Sequence, residues 1–192
     1  MINKVLSFIK EELNNYIKLK LNDSSVDKVV CAEIVAQDGS AVHLPQNSII
    51  ITLANIEEEK VLKSQTPHTQ ELNGSLIISN PEIKLNLYIL FIANFGENYN
   101  ESLKFLSFII QFFQAKNVFN PQNSPTLNPE IKKLVLELYI LNFEQLNHLW
   151  GTLGAKYKPS VMYKVRFISI QEEVGIKKTK RSEIINQNFT DK

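Results

Sequence analysis

One cysteine, six glycines and three scattered histidines leave this chain with little of the raw material of catalysis. The lone thiol, Cys31, rules out an intramolecular disulfide framework, so a reducing compartment is the simpler expectation. His43, His68 and His148 form neither an H-x-H nor an H-x-x-x-H pair, and one cysteine supplies no structural zinc pattern. No glycine falls in G-x-x-x-x-G-K-[ST], G-x-G-x-x-G or G-x-S-x-G, which removes the common phosphate cradles and the nucleophile elbow. Gly151-Thr-Leu-Gly154 has the outline of a nucleic-acid clamping GXXG loop, but Pro159 and a strand pattern follow where that clamp needs a second helix. A charge excess is lacking too: 21 basic against 20 acidic residues give a net charge of +1 and no global pull toward nucleic acid or anionic lipid. No apolar run approaches the roughly 20 residues that span a bilayer. Lys4, Lys10, Glu11 and Glu12 likewise break any signal-peptide core at the N-terminus. The expectation is a protein made in the cytoplasm that is not an enzyme and has no catalytic residue, cofactor or metal.

What the chain does have is apolar pattern: 44% of its residues are hydrophobic, enough for a sizeable core. Residues 1–21 predict an amphipathic helix with Ile2, Val5, Leu6, Ile9, Leu13, Tyr16 and Ile17 on one face. That face can pack on its own sheet or also on a neighbouring subunit. Residues 29–35 suggest a strand and 48–56 a continuous apolar one, covered on both faces. Glu57, Glu58 and Glu59 then read as a solvated loop, or as a docking surface for a basic partner. Residues 63–74 are polar and predict a loop between hairpin strands, the second being Leu76–Ile78. A turn at Asn80-Pro81 leads to 83–95, where Ile83, Leu85, Leu87, Ile89 and Phe91 line one face. From Tyr88 to Ile92 the other face is apolar too, which places this strand in mid-sheet. Asn98 and Glu101 sit at capping-box spacing and start a helix to about 116. Leu103, Leu106, Ile109, Ile110 and Phe113 form its expected core face, with Phe105, Phe108 and Phe112 on a second apolar face. Residues 117–130 predict a loop long enough to suspect of function, and 132–141 a strand.

The most informative segment is 141–166, LNFEQLNHLWGTLGAKYKPSVMYKVR. Asn142 and Gln145 have capping-box spacing, Phe143, Leu146, Leu149, Trp150 and Leu153 recur at helical period, and Gly154 stands at a left-handed C-cap position. Pro159 opens a strand in which Val161, Tyr163, Val165 and Phe167 alternate with Met162, Lys164, Arg166 and Ile168. Nothing here is a nucleophile or an acid/base pair, so the segment is built to pack and to be contacted. His148 reads as a surface or capping histidine, and Trp150 as a core anchor or an interface hot spot. After about 171 apolar residues thin out and Lys177, Lys178, Lys180 and Arg181 cluster, a charged arm over 172–192. The cluster fits a solvated tail, a contact with an acidic assembly partner, or a nucleic-acid or membrane contact.

Together these elements predict an α+β fold: a single mixed, largely antiparallel β-sheet packed by long amphipathic helices, with one domain over 1–171.

The segment FEQLNHLWGTLGAKYKPSVMYKVR resembles the signature of a family of tail-terminator, or cap, proteins of contractile injection systems of the antifeeding-prophage and virulence-cassette type. IIITLANIEEE at 49–59, LNLYILFIANF at 85–95 and NYNESLKFLSFIIQFFQ at 98–114 match in order and spacing. The resemblance implies a phage tail-terminator-like fold and a structural role in a particle that is released or membrane-anchored. Six copies would form a ring on the distal end of the inner tube and sheath and stop polymerisation. The implied partners are the chain itself, the inner tube protein and the sheath protein, with no nucleic acid and membrane contact only through the particle. Phe143, Gln145, His148, Trp150, Lys177, Lys178, Lys180 and Arg181 are the candidate interface residues. The alternative is a non-enzymatic adaptor that recruits cargo or a membrane partner through the basic arm.

Overall fold

The computed structural model describes residues 1–23, 27–36, 39–40, 42–59, 68–72, 75–79 and 84–169, with 68–72, 75–79 and 168–169 as backbone. Six strands form one sheet in the order β1(Val29–Cys31)-β2(Ser48–Glu58)-β5(Lys84–Asn94)-β8(Ser160–Ser169)-β7(Ile131–Tyr139)-β6(Val118–Phe119). Only β1–β2 is parallel; the other four ladders are antiparallel. Helices α1(Ile2–Leu21) and α2(Tyr99–Ala115) pack on one face, and α3(Phe143–Thr152) on the other. The expected α+β class holds, and the main sheet is mixed and largely antiparallel as expected.

β5 lies between β2 and β8, so its two side-chain faces feed two separate cores. Leu87, Ile89, Phe91 and Ala93 join α1 and α2, while Leu90 and Ile92 join Trp150, Ile50 and Met162 under α3. Phe91, Phe113 and Tyr163 meet ring to ring, with centroids 4.7 to 5.7 Å apart. On α1 the buried residues include Asn14, whose side chain accepts from the Lys28 and Val29 N–H groups and donates to the Val29 carbonyl. That polar clasp, unseen in the apolar pattern, ties the helix to the edge strand.

Five expectations are corrected. The first strand stops at Cys31, because the chain turns to bury Ile34 and Leu44 in the α3 core. Glu57 and Glu58 are not loop but the end of β2, held by pairing with Asn86 and Leu85. The polar stretch HTQEL forms β3(His68–Leu72), which pairs with β4(Ser75–Ser79) in a separate two-stranded sheet. So the 75–79 strand pairs with part of the expected loop. On α2 the core face is rotated: Ser102, Phe105, Leu106, Ile109, Phe112 and Phe113 are buried, while Leu103 and Ile110 are 42% and 39% exposed. Burying Phe105 and Phe112 removes more apolar area than burying Leu103 and Ile110 would. Finally, the 117–130 segment contains β6 and is packed down, with Phe119 and Leu127 buried, Asn120 and Asn123 bonding neighbouring backbone, and Glu130 paired to Lys4 at 2.9 Å.

Candidate functional site

The most localised signal on the surface is the corner where β7 runs into α3. Leu138 is 48% exposed, Ile140 81% and Phe143 92%, three large apolar side chains within six residues. Isolated exposed apolar residues are ordinary, but a group of them marks a contact site. The sheet edge adds to it. β6 pairs with β7 only at Leu134 and Val135, and among the described residues no strand pairs with the outer edge of Glu137–Tyr139. An unpaired strand edge flanked by apolar side chains is a template for another chain. Beneath Leu138 a groove of about 470 Å³ runs between α2 and β7, lined by Ile110, Phe113, Leu136 and Tyr163 among others.

Helix α3 holds this corner in place through two well-formed ends. The Asn142 side chain accepts from the Gln145 N–H at 2.8 Å, and the Gln145 side chain accepts from the Asn142 N–H at 3.0 Å, the full capping box. At the other end Gly154 has φ +64°, Gly154 N–H donates to Gly151 O and Ala155 N–H to Trp150 O. This is a Schellman motif, and its left-handed residue favours glycine. By contrast, Asn98 caps α2 from one side only. Its oxygen accepts from Glu101 N–H, but its own N–H donates to Phe95 O and the Glu101 carboxylate pairs with Lys104.

Among the expected interface residues, Phe143, Gln145 and His148 are exposed along α3, whereas Trp150 is 5% exposed and packs in the α3 core. Its indole N–H has no partner. Lys177, Lys178, Lys180 and Arg181 lie outside the described residues. Leu138 and Ile140 were not anticipated; their signal was an apolar residue on either side of Tyr139 at the end of a strand.

A second cleft, of about 330 Å³, lies between α3 and the sheet and includes Glu57, Tyr88, Tyr139, Gln145 and His148 in its wall. Tyr88 donates to Glu57 Oε2 at 2.8 Å and meets Tyr139 edge to face at 5.0 Å. Burial, the hydrogen bond to Glu57 and the neighbouring acidic groups push the Tyr88 phenol up to about 12. Burial alone does the same to Tyr163. A phenol held neutral is no general base, and no group of three metal-ligating side chains exists among the described residues. His43 and His148 are exposed and distant in the chain. No described helix is long and apolar enough to cross a membrane.

The family model of the Pvc16 N-terminal domain matches residues 4–183. Among solved structures the chain is similar to the tube-terminating cap of the anti-feeding prophage, at 13% identity and a TM-score of 0.53, over 92% of this chain and 60% of that one. It is also similar to the PVC sheath/tube terminator of an extracellular contractile injection system in its extended state, at 13% identity and a TM-score of 0.49, over 94% of this chain and 64% of that one. The chain therefore spans less than two thirds of either protein. No protein of curated function matches it.

Proposed function

The chain belongs to the family of the Pvc16 N-terminal domain, and on that premise we propose that it terminates the tail of a contractile injection system. Copies close into a six-fold ring on the distal end of the inner tube and sheath. One face of the ring meets the last layer, and the other offers no seat for a further one, so growth stops. The work is done by binding geometry and calls for no cofactor. Assembly takes place in the cytoplasm, and the protein leaves the cell only as part of the particle.

The observation that carries this reading is the apolar β7–α3 corner beside the half-open sheet edge, on a fold shared with a tube-terminating cap. In a head-to-tail ring, a ridge on one copy is covered by a different surface of the next, and every edge is paired when the ring closes. Contacts of this kind bury roughly 1,200–2,000 Å² each. The ridge is rigidly presented, because both ends of α3 are capped.

Electron microscopy of particles from cells lacking the protein tests this. Tubes and sheaths of uncontrolled length, or particles that fray from one end, are expected. Particles of normal length with an intact distal end would overturn the reading and favour the adaptor alternative.

A further inference from the structure

The open edge of β7 is shaped for a strand that is apolar on both faces. Leu136 N–H donates away from β8, to Asn117 O. Alternation puts the Leu138 N–H and C=O on that same side, where no described strand meets them. Two hollows flank the position. The groove of about 470 Å³ is walled in part by Ile110, Phe113 and Leu138. A second, of about 260 Å³, is walled by Leu138 and Ile140 with Leu90, Leu146 and Met162 of the α3 core. A strand laid on this edge would send alternate residues to the two faces of the sheet, one set toward each hollow.

The chain itself holds a strand of that kind. β4 reads Ser-Leu-Ile-Ile-Ser, so Leu76 and Ile78 share one face and Ile77 takes the other. Among the described residues β4 pairs only with the polar β3. A lone two-stranded hairpin is at best marginally stable in water, and a third strand stabilises it. This hairpin is inserted between β2 and β5. β2 ends and β5 starts at the end of the sheet where β7 begins, whereas the open edge lies where β7 finishes. The attachment of the hairpin and the open edge are thus at opposite ends of the sheet, which suits a head-to-tail contact between copies. On the sheet's opposite side, β1 is a poor acceptor, because the Asn14 side chain already takes both the N–H and the C=O of Val29.

We propose that β4 of one copy adds to the 138–140 edge of β7 in the next, extending that copy's sheet by the hairpin's two strands. Main-chain hydrogen bonds hold the added strand, and the two hollows select for its apolar residues on both faces. The proposal rests on the ring reading and names the contact within it.

Disulfide trapping between full-length chains tests it, in a Cys31→Ser background. Light chains carry Leu138→Cys, and ¹⁵N-labelled chains carry Leu76→Cys, Ile77→Cys or Ile78→Cys. Rings are confirmed by native mass spectrometry, then oxidised. A light–heavy disulfide from at least one β4 position to the Leu138→Cys chain is the expected result. In unmodified protein, hydrogen exchange over residues 137–141 should be about tenfold slower in rings than in single copies. Two Leu138→Cys chains joined to each other would mean a two-fold edge contact and would overturn the proposal. So would a chain carrying both substitutions that closes its disulfide internally. Rings that form without any light–heavy disulfide, or without slowed exchange, overturn this contact and leave the ring reading standing. Chains that stay single, together with particles of normal length in their absence, overturn the ring reading and this contact with it.

Discussion

Trp150 shows how a single residue's role is decided by what lies under it. In the sequence it is the fourth apolar position of a short helix, compatible with a core anchor or an exposed hot spot. In the fold it is 5% exposed over Ile50, Leu90, Ile92 and Met162. Trp150→Ala should therefore cost about 3–5 kcal/mol of stability, read by chemical denaturation; a loss below about 1 kcal/mol would remove it from the core. Tyr163 carries a pH prediction. Its folded pKa is raised to about 12, above the ordinary value of 10.0, by burial. Between those values the unfolded chain ionises its phenol while the folded chain keeps the proton. Stability is thus fully present below pH 10.0 and lost as pH rises toward about 12. Tyr163→Phe should flatten that alkaline decline relative to the native protein in melting curves. Equal slopes would show that the phenol is not held neutral.

Elements divide into those with marked ends and those without. Helix α3 announces both termini locally, through Asn142, Gln145 and Gly154, and the structure keeps all three in those roles. At Gly154 a Cβ would meet nothing within 4 Å, so Gly154→Ala isolates backbone strain at φ +64°. The expected loss is about 1–2 kcal/mol, measured by denaturant titration, with the secondary structure retained. No loss would mean that the left-handed cap is dispensable. Helix α2 also has a legible start, yet its facing is not legible in the sequence. Apolar residues lie nearly all round it, and periodicity cannot choose among several faces. The sheet chose, by accepting Phe105 and Phe112 and turning Leu103 and Ile110 outward. The β3 strand was illegible for the opposite reason, since a polar segment has no apolar alternation to read and is specified by its partner β4.

For the whole molecule the question is what the exposed corner does. Phe143 and Ile140 contribute almost nothing to the monomer's core, being 92% and 81% exposed. Phe143→Asp and Ile140→Asp should leave stability within about 0.5 kcal/mol of native. On the proposed ring assembly, native mass spectrometry should nonetheless show fewer closed rings and more single copies. A ring that forms as before in both variants would place the subunit contact elsewhere on the surface. The pairing of an unaffected melt with lost assembly is what separates an interface residue from Trp150, whose truncation acts on folding first.

Local order was decided by the sequence alone: the helix ends, the alternating strands β5 and β8 and the capped α3. Each of these rests on neighbours within a few residues, where backbone hydrogen bonds and side-chain period act directly. The segment 141–166 also carried the resemblance to the family. Only the tertiary structure could rotate α2, pair β3 with β4, clasp β1 through Asn14 and bring Glu57, Tyr88 and Tyr139 around one cleft. Those outcomes depend on residues far apart in the chain, and their energies exist only once long-range packing has chosen which surfaces meet.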